Sequence, residues 1–126
     1  MKKAVNSFSA PKAIGPYSQA IQAGGFLYVS GQLPIDPVDG SMPESIEAQT
    51  RNSLQNIDAI LREAGYGKDD VVKTTVFLAN LADFDAVNKV YGEFFAGCMY
   101  PARAAFQVAR LPKDAGVEIE AVAYKG

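Results

Sequence analysis

The residues of this chain that could act on a small anion are one arginine, two glutamates and a tyrosine, spread along its length. Arg103 stands in YPARAAFQV, among small and apolar residues of a segment that reads as a strand. A planar guanidinium with five donors suits bidentate capture of a carboxylate. The plain alternatives are an exposed edge-strand arginine or an ion pair with Glu118 or Glu120. Those two glutamates, in VEIEAVA, fall on one face of the last strand, roughly 6 to 7 Å apart by strand rise. Like charges so close raise at least one pKa unless a cation intervenes, and a carboxyl that keeps its proton longer can shuttle protons. A solvated polar face, or an ion pair at a subunit contact, explains the same pair without chemistry.

Tyr17, in IGPYSQA, follows a Gly-Pro pair that fixes the chain direction, so its hydroxyl either points at a site or simply stands in water. Ser30 and Gly31 end a strand in YVSGQLP, where glycine permits close approach to a ligand and serine offers a small donor and acceptor; a strand-ending turn accounts for them equally. Asn88 lies beside the apolar stripe of a helix, where its amide needs partners; a structural role is favoured over a pocket-facing one. Cys98 has no activating motif beside it and reads as a small apolar residue or an incidental thiol.

Composition removes several mechanisms. The 126 residues include one cysteine and no histidine, so an intrachain disulfide, the common zinc and iron sites and the Ser-His-Asp and Cys-His mechanisms are all removed. A net charge of -2 gives no electropositive field for gathering phosphates, which disfavours nucleic acid as a partner. With 48% hydrophobic and 21% charged residues the chain has ordinary globular composition, expected to form one soluble domain over 1–126. Lys2 and Lys3 are followed by a polar, proline-broken stretch instead of an apolar signal-peptide core, and no run is long enough for a membrane span, so a cytoplasmic location is expected.

The elements that must position these residues follow from periodicity. Tyr17 to Gln22 and Phe26 to Gly31 read as strands paired across an Ala-Gly-Gly turn. Ile46, Leu54, Ile57, Leu61 and Ala64 share one face of a first helix that Gly65 stops. Val72, Thr74, Val76 and Leu78 mark a strand, and a second helix with Asp83 as N-cap aligns Phe84, Val87, Tyr91, Phe94 and Phe95. Strands of about Ala102 to Val108 and Val117 to Tyr124 close an α+β sandwich with two helices on one face of the sheet. The other face is expected to meet another subunit.

The order and spacing of these segments resemble the RidA family, also called YjgF, of reactive-intermediate deaminases. The likeness spans essentially the whole chain, through IGPYSQA, YVSGQLPID, QTRNSLQNI, VVKTTVFLANLADF, VNKVYGEFF, YPAR and VARLPKDAGVEIEAVA. The resemblance implies a chorismate-mutase-like fold with a mixed β-sheet, assembled as a homotrimer with sites between subunits. It implies hydrolysis of 2-iminopropanoate and 2-iminobutanoate to 2-keto acids and ammonia without a cofactor or metal. Arg103 would bind the carboxylate, Glu118 would activate water and Tyr17 would fix substrate or water, with Ser30, Gly31 and Asn88 at or near the site. Many bacterial relatives carry a cysteine where this chain has Ala105, which can contribute only its backbone there. The AGCMY connection also looks shorter than in some members. A binding module that has kept the arginine but lost catalysis is the competing reading, and retention of Glu118 argues against it.

Overall fold

The alternating segments all join one sheet in the computed structural model, which describes residues 1–126. Its strands are β1 (Lys3–Val5), β2 (Ala20–Ala23), β3 (Phe26–Gln32), β4 (Val71–Leu78), β5 (Ala102–Gln107) and β6 (Val117–Tyr124), ordered β1-β2-β3-β6-β4-β5. Every neighbouring pair is antiparallel except β4 and β5. A parallel pair needs a crossover, and helix α2 (Phe84–Phe94) supplies it, while α1 (Ile46–Glu63) joins β3 to β4.

The sheet is therefore mixed, as expected, but has one strand more than periodicity revealed. The three residues of β1 are too few to show alternation. The first expected strand also starts later, at Ala20, because Gly15 has φ 123° and the Tyr17 N–H donates to the Gly15 carbonyl at 2.9 Å, turning the chain before it can extend.

Both helices pack on one face. Leu54, Ile57, Ile60 and Leu61 of α1 and Val87, Tyr91 and Phe95 on α2 and its C-cap meet Leu27, Val29, Val76, Leu78, Val117, Ile119, Ala121 and Ala123 of the sheet in one core. Ser45 caps α1 by accepting from the Ala48 N–H, and Gly65, at φ 81°, ends it as the Tyr66 N–H returns to the Leu61 carbonyl. Polar residues of α1 are buried too, and all but Ser53, whose hydroxyl has no partner, are hydrogen-bonded. Asn56 donates to the Leu33 and Ile35 carbonyls, and Gln49 bridges the Pro43 carbonyl and the Gly116 N–H. Asp83 stands at the N-cap position of α2 as expected, but its backbone is already helical and its side chain makes no capping hydrogen bond; Asn80 caps the preceding turn by accepting from the Ala82 N–H.

The opposite face of the sheet carries no helix. It presents Phe26 stacked 4.8 Å from Tyr124 and Phe77 edge-on to Phe106 at 5.5 Å, with Tyr28, Glu118 and Glu120 on the same face. Phe26, Tyr28, Phe106 and Tyr124 are all exposed. No helix is long and apolar enough to cross a membrane.

Candidate functional site

Strand register decides which side chains can meet. Arg103 stands opposite Thr74 on β4, which in turn stands opposite Ala121 on β6. Directly paired residues share a face, so Arg103 projects on the helix side. Because β5 is the sheet edge, its guanidinium emerges beside α2. There Nη1 donates to Asn88 Oδ1 at 2.6 Å, and the guanidinium carbon lies 4.8 Å from the Tyr91 ring centroid and 5.4 Å from that of Phe84. Two aromatic faces and one amide thus hold the fork in a fixed plane.

Tyr91 is itself fixed, its hydroxyl sharing a 2.7 Å hydrogen bond with Thr74 Oγ1. Burial pushes its phenol pKa up, against the smaller opposing effects of the Thr74 bond and the Arg103 charge. Asn88, Tyr91, Gly92, Tyr100, Pro101 and Arg103 line a cleft of about 440 Å³. Asn88 faces this cleft and accepts from Arg103 instead of bonding a neighbouring backbone group, so the less favoured of the two expectations, the pocket-facing one, is the one observed.

Glu118 belongs to the other face. It pairs with Phe77 and projects with Glu120 onto the open side of the sheet, into a cleft of about 680 Å³ that also contains Tyr17, Ser30 and Gly31. Burial raises the Glu118 pKa above the ordinary carboxylate value, and the Glu120 charge raises it further. Register breaks between Val29 and Gln32, leaving Ser30 and Gly31 as a bulge. The Ser30 hydroxyl donates to the Ser18 carbonyl at 2.7 Å and its N–H to Gln19 O at 2.9 Å, which ties the Tyr17 segment to the strand. At Gly31 an added Cβ would stand 2.6 Å from Glu118 Oε2, so the close approach that this glycine permits is to the carboxylate.

Within one chain, then, Tyr17, Ser30, Gly31, Glu118 and Glu120 come together, and Asn88 comes to Arg103, but the two groups lie on opposite sides of the sheet. An intrachain ion pair between Arg103 and Glu118 or Glu120, entertained from sequence, is not formed; the two ion pairs are Arg62–Asp58 and Arg110–Asp114. Ala105 stands opposite Val76, on the same face as Arg103, and its methyl packs against the core. Cys98 has its thiol pKa raised by a hydrogen bond with Asp69 and by burial, which disfavours the thiolate.

Sequence reasoning passed over Gln19 and the cations of the Glu118 cleft. Gln19 is buried; its Oε1 accepts from the Ser7 N–H, and its Nε2 donates to the Ser7 and Pro11 carbonyls, clamping the segment that forms one cleft wall. A glutamine directly before the apolar pair Ala20-Ile21 of the expected strand was the available signal. Lys12 and Lys113 stand at the same cleft, Lys113 with the left-handed φ of 58°.

The chain and its fold are similar to those of known proteins. A family model described as endoribonuclease L-PSP matches residues 7–125. A RutC family protein of Pyrococcus horikoshii is 54% identical over 126 residues, covering 99% of each chain. The 2-iminobutanoate/2-iminopropanoate deaminase of Escherichia coli K12 is 46% identical over 127 residues, again 99% of each. The crystal structure of Escherichia coli TdcF with bound serine is similar at a TM-score of 0.96 and 44% identity, covering 98% of this chain and 99% of that one.

Proposed function

The chain belongs to the endoribonuclease L-PSP family, the RidA/YjgF group that its sequence resembles, and on that premise we propose that it hydrolyses 2-imino acids such as 2-iminopropanoate and 2-iminobutanoate to 2-keto acids and ammonia. The observation that carries this reading is the state of Arg103. Its planar guanidinium lies over two rings and donates to one amide, yet no carboxylate of its own chain pairs with it. That is a fork prepared for a carboxylate from outside. The serine bound by TdcF, with a carboxylate and a nitrogen on one carbon, has the same two groups as a 2-imino acid.

The chemistry requires a held carboxylate, a placed water and a group that moves protons. Arg103 binds the carboxylate, with Asn88 fixing its fork and the backbone at Ala105 beside it. Glu118, its pKa raised by burial and by the Glu120 charge, takes a proton from water as the oxygen bonds to C2 and the C=N π electrons pass to nitrogen. It returns that proton to nitrogen to give the carbinolamine, then takes the hydroxyl proton as C=O forms and the C–N bond breaks and passes it to the departing nitrogen, releasing ammonia and leaving the 2-keto acid. Tyr17 and the Ser30–Gly31 bulge border the place where substrate and water meet. An imine is electrophilic enough to need no metal or cofactor.

Because Arg103 and Glu118 occupy opposite faces of one sheet, this mechanism takes them from two copies of the chain. We place the open aromatic face inside a homotrimer, with three sites between subunits, working in the cytoplasm as a single RidA-like unit over 1–126. The aromatic character of that face supports the assembly. The test couples the purified protein to a dehydratase that generates 2-aminoacrylate from serine. Release of keto acid faster than the uncatalysed background is expected, and a rate equal to background would discard the proposal.

A further inference from the structure

We propose that Gly31 is a positioning residue, present because the space of its missing side chain is where the Glu118 carboxylate lies. Its backbone does not demand glycine, since its φ is outside the left-handed region that marks Gly15, Gly24, Gly40, Gly65 and Gly97. What excludes a side chain is contact: a Cβ would lie 2.6 Å from Glu118 Oε2, 2.9 Å from Cδ and 3.2 Å from Cγ. Real Cβ atoms do not approach so closely, so any larger residue must move the carboxylate.

The neighbours explain why the seat is firm. The Gln32 amide donates to the Ser30 carbonyl, Ser30 is bonded twice to the Ser18–Gln19 segment, and the ladder resumes at the Gln32–Ile119 pair. The bulge is thus pinned on both sides, and Glu118 is left as the part that would give way. The titratable groups facing Glu118 are Glu120 on its own strand, Lys12 and Tyr17 from the segment before β2, and Lys113 from the loop before β6; its β4 partner is the apolar Phe77. A carboxylate pushed off the glycine moves from half-burial toward water and loses the environment that makes it a proton carrier.

The catalytic arm of the test rests on the deaminase reading, whereas the spectroscopic arm rests on the contact alone. Gly31→Ala should lower kcat roughly a hundredfold, the scale set by a displacement of about an ångström, with KM changed by less than about twofold because Arg103 is untouched. The double variant Gly31→Ala with Glu118→Gln should turn over no more slowly than Glu118→Gln alone. In protein labelled with ¹³C at glutamate carboxyls, the Glu118 resonance, assigned by its loss in Glu118→Gln, should titrate in Gly31→Ala closer to an ordinary glutamate than in the wild type. Unchanged titration overturns the proposal, as does a double variant slower than Glu118→Gln by the full single-variant factor, which would assign Gly31 to the substrate directly. Should Gly31→Ala fail to fold, Gly31→Ala with Glu118→Ala removes the clash and is expected to fold; its failure also overturns the proposal. A wild type without deaminase activity discards the deaminase reading and leaves the titrations to decide the role of Gly31.

Discussion

Arg103 loses different things when it becomes lysine and when it becomes alanine. Arg103→Lys keeps the charge but not the planar fork that Tyr91, Phe84 and Asn88 hold, so on the proposed chemistry KM should rise on the order of tenfold or more with kcat less affected. Arg103→Ala should bring the coupled assay to background. Activity equal to wild type in either would dismiss the carboxylate clamp. Glu118 makes a prediction about stability as well. An acid whose folded pKa is raised binds more protons folded than unfolded, so its contribution is intact below the unfolded pKa and is lost as pH rises through the folded one. Glu118→Gln should therefore match the wild type in urea unfolding at about pH 3 and exceed it at about pH 8. The gain should stay under about 1 kcal/mol, because the side chain still reaches water. No difference between the two pH values would mean that the carboxylate is not destabilised in the fold. The residue types and their order were legible in the sequence, since VEIEAVA shows by alternation that both glutamates share a face. Which face Arg103 shares was not, because that depends on the Thr74–Arg103 and Phe77–Glu118 register, set by strands distant in sequence.

The link between α2 and β4 gives Arg103 its rigidity. Tyr91 is buried in the core, hydrogen-bonded to Thr74 and stacked under the guanidinium, so one side chain serves packing and site together. Tyr91→Phe should cost roughly 1 kcal/mol in chemical denaturation while keeping most activity, because the ring stays and only the hydroxyl bond goes. Tyr91→Ala should cost roughly 3 kcal/mol or more and weaken substrate binding as well. If Tyr91→Phe instead abolished activity with stability intact, the hydroxyl would have a direct part in the reaction. The helices and the main strands were readable because their apolar spacing is long and regular, as at Leu54, Ile57 and Leu61. The short β1 was not, and neither was the extra turn before α2, capped by Asn80, which leaves Asp83 at the N-cap position without a capping bond. Buried Gln49 and Asn56 were also invisible, since each is satisfied by backbone groups outside its own helix.

At the scale of the molecule, a site divided between the two sides of a sheet predicts complementation. On the proposed trimeric assembly, Arg103→Ala and Glu118→Gln chains, each strongly impaired alone, should regain about a quarter of wild-type activity when unfolded together and refolded at random, because each mixed trimer would retain one site with both residues intact. Mixtures no more active than their parents would refute the shared site. Topology carries a further consequence, for biosynthesis. β6 is the last strand to be made, yet it lies between β3 and β4, where it joins the two halves of the sheet and contributes Val117, Ile119, Ala121 and Ala123 to the core. A nascent chain therefore holds two unsatisfied strand edges until its final residues arrive, and it cannot consolidate from the N-terminus onward. A chain stopped after Gly116 should accumulate as aggregate, and supplying residues 117–126 as a separate peptide during refolding should rescue it.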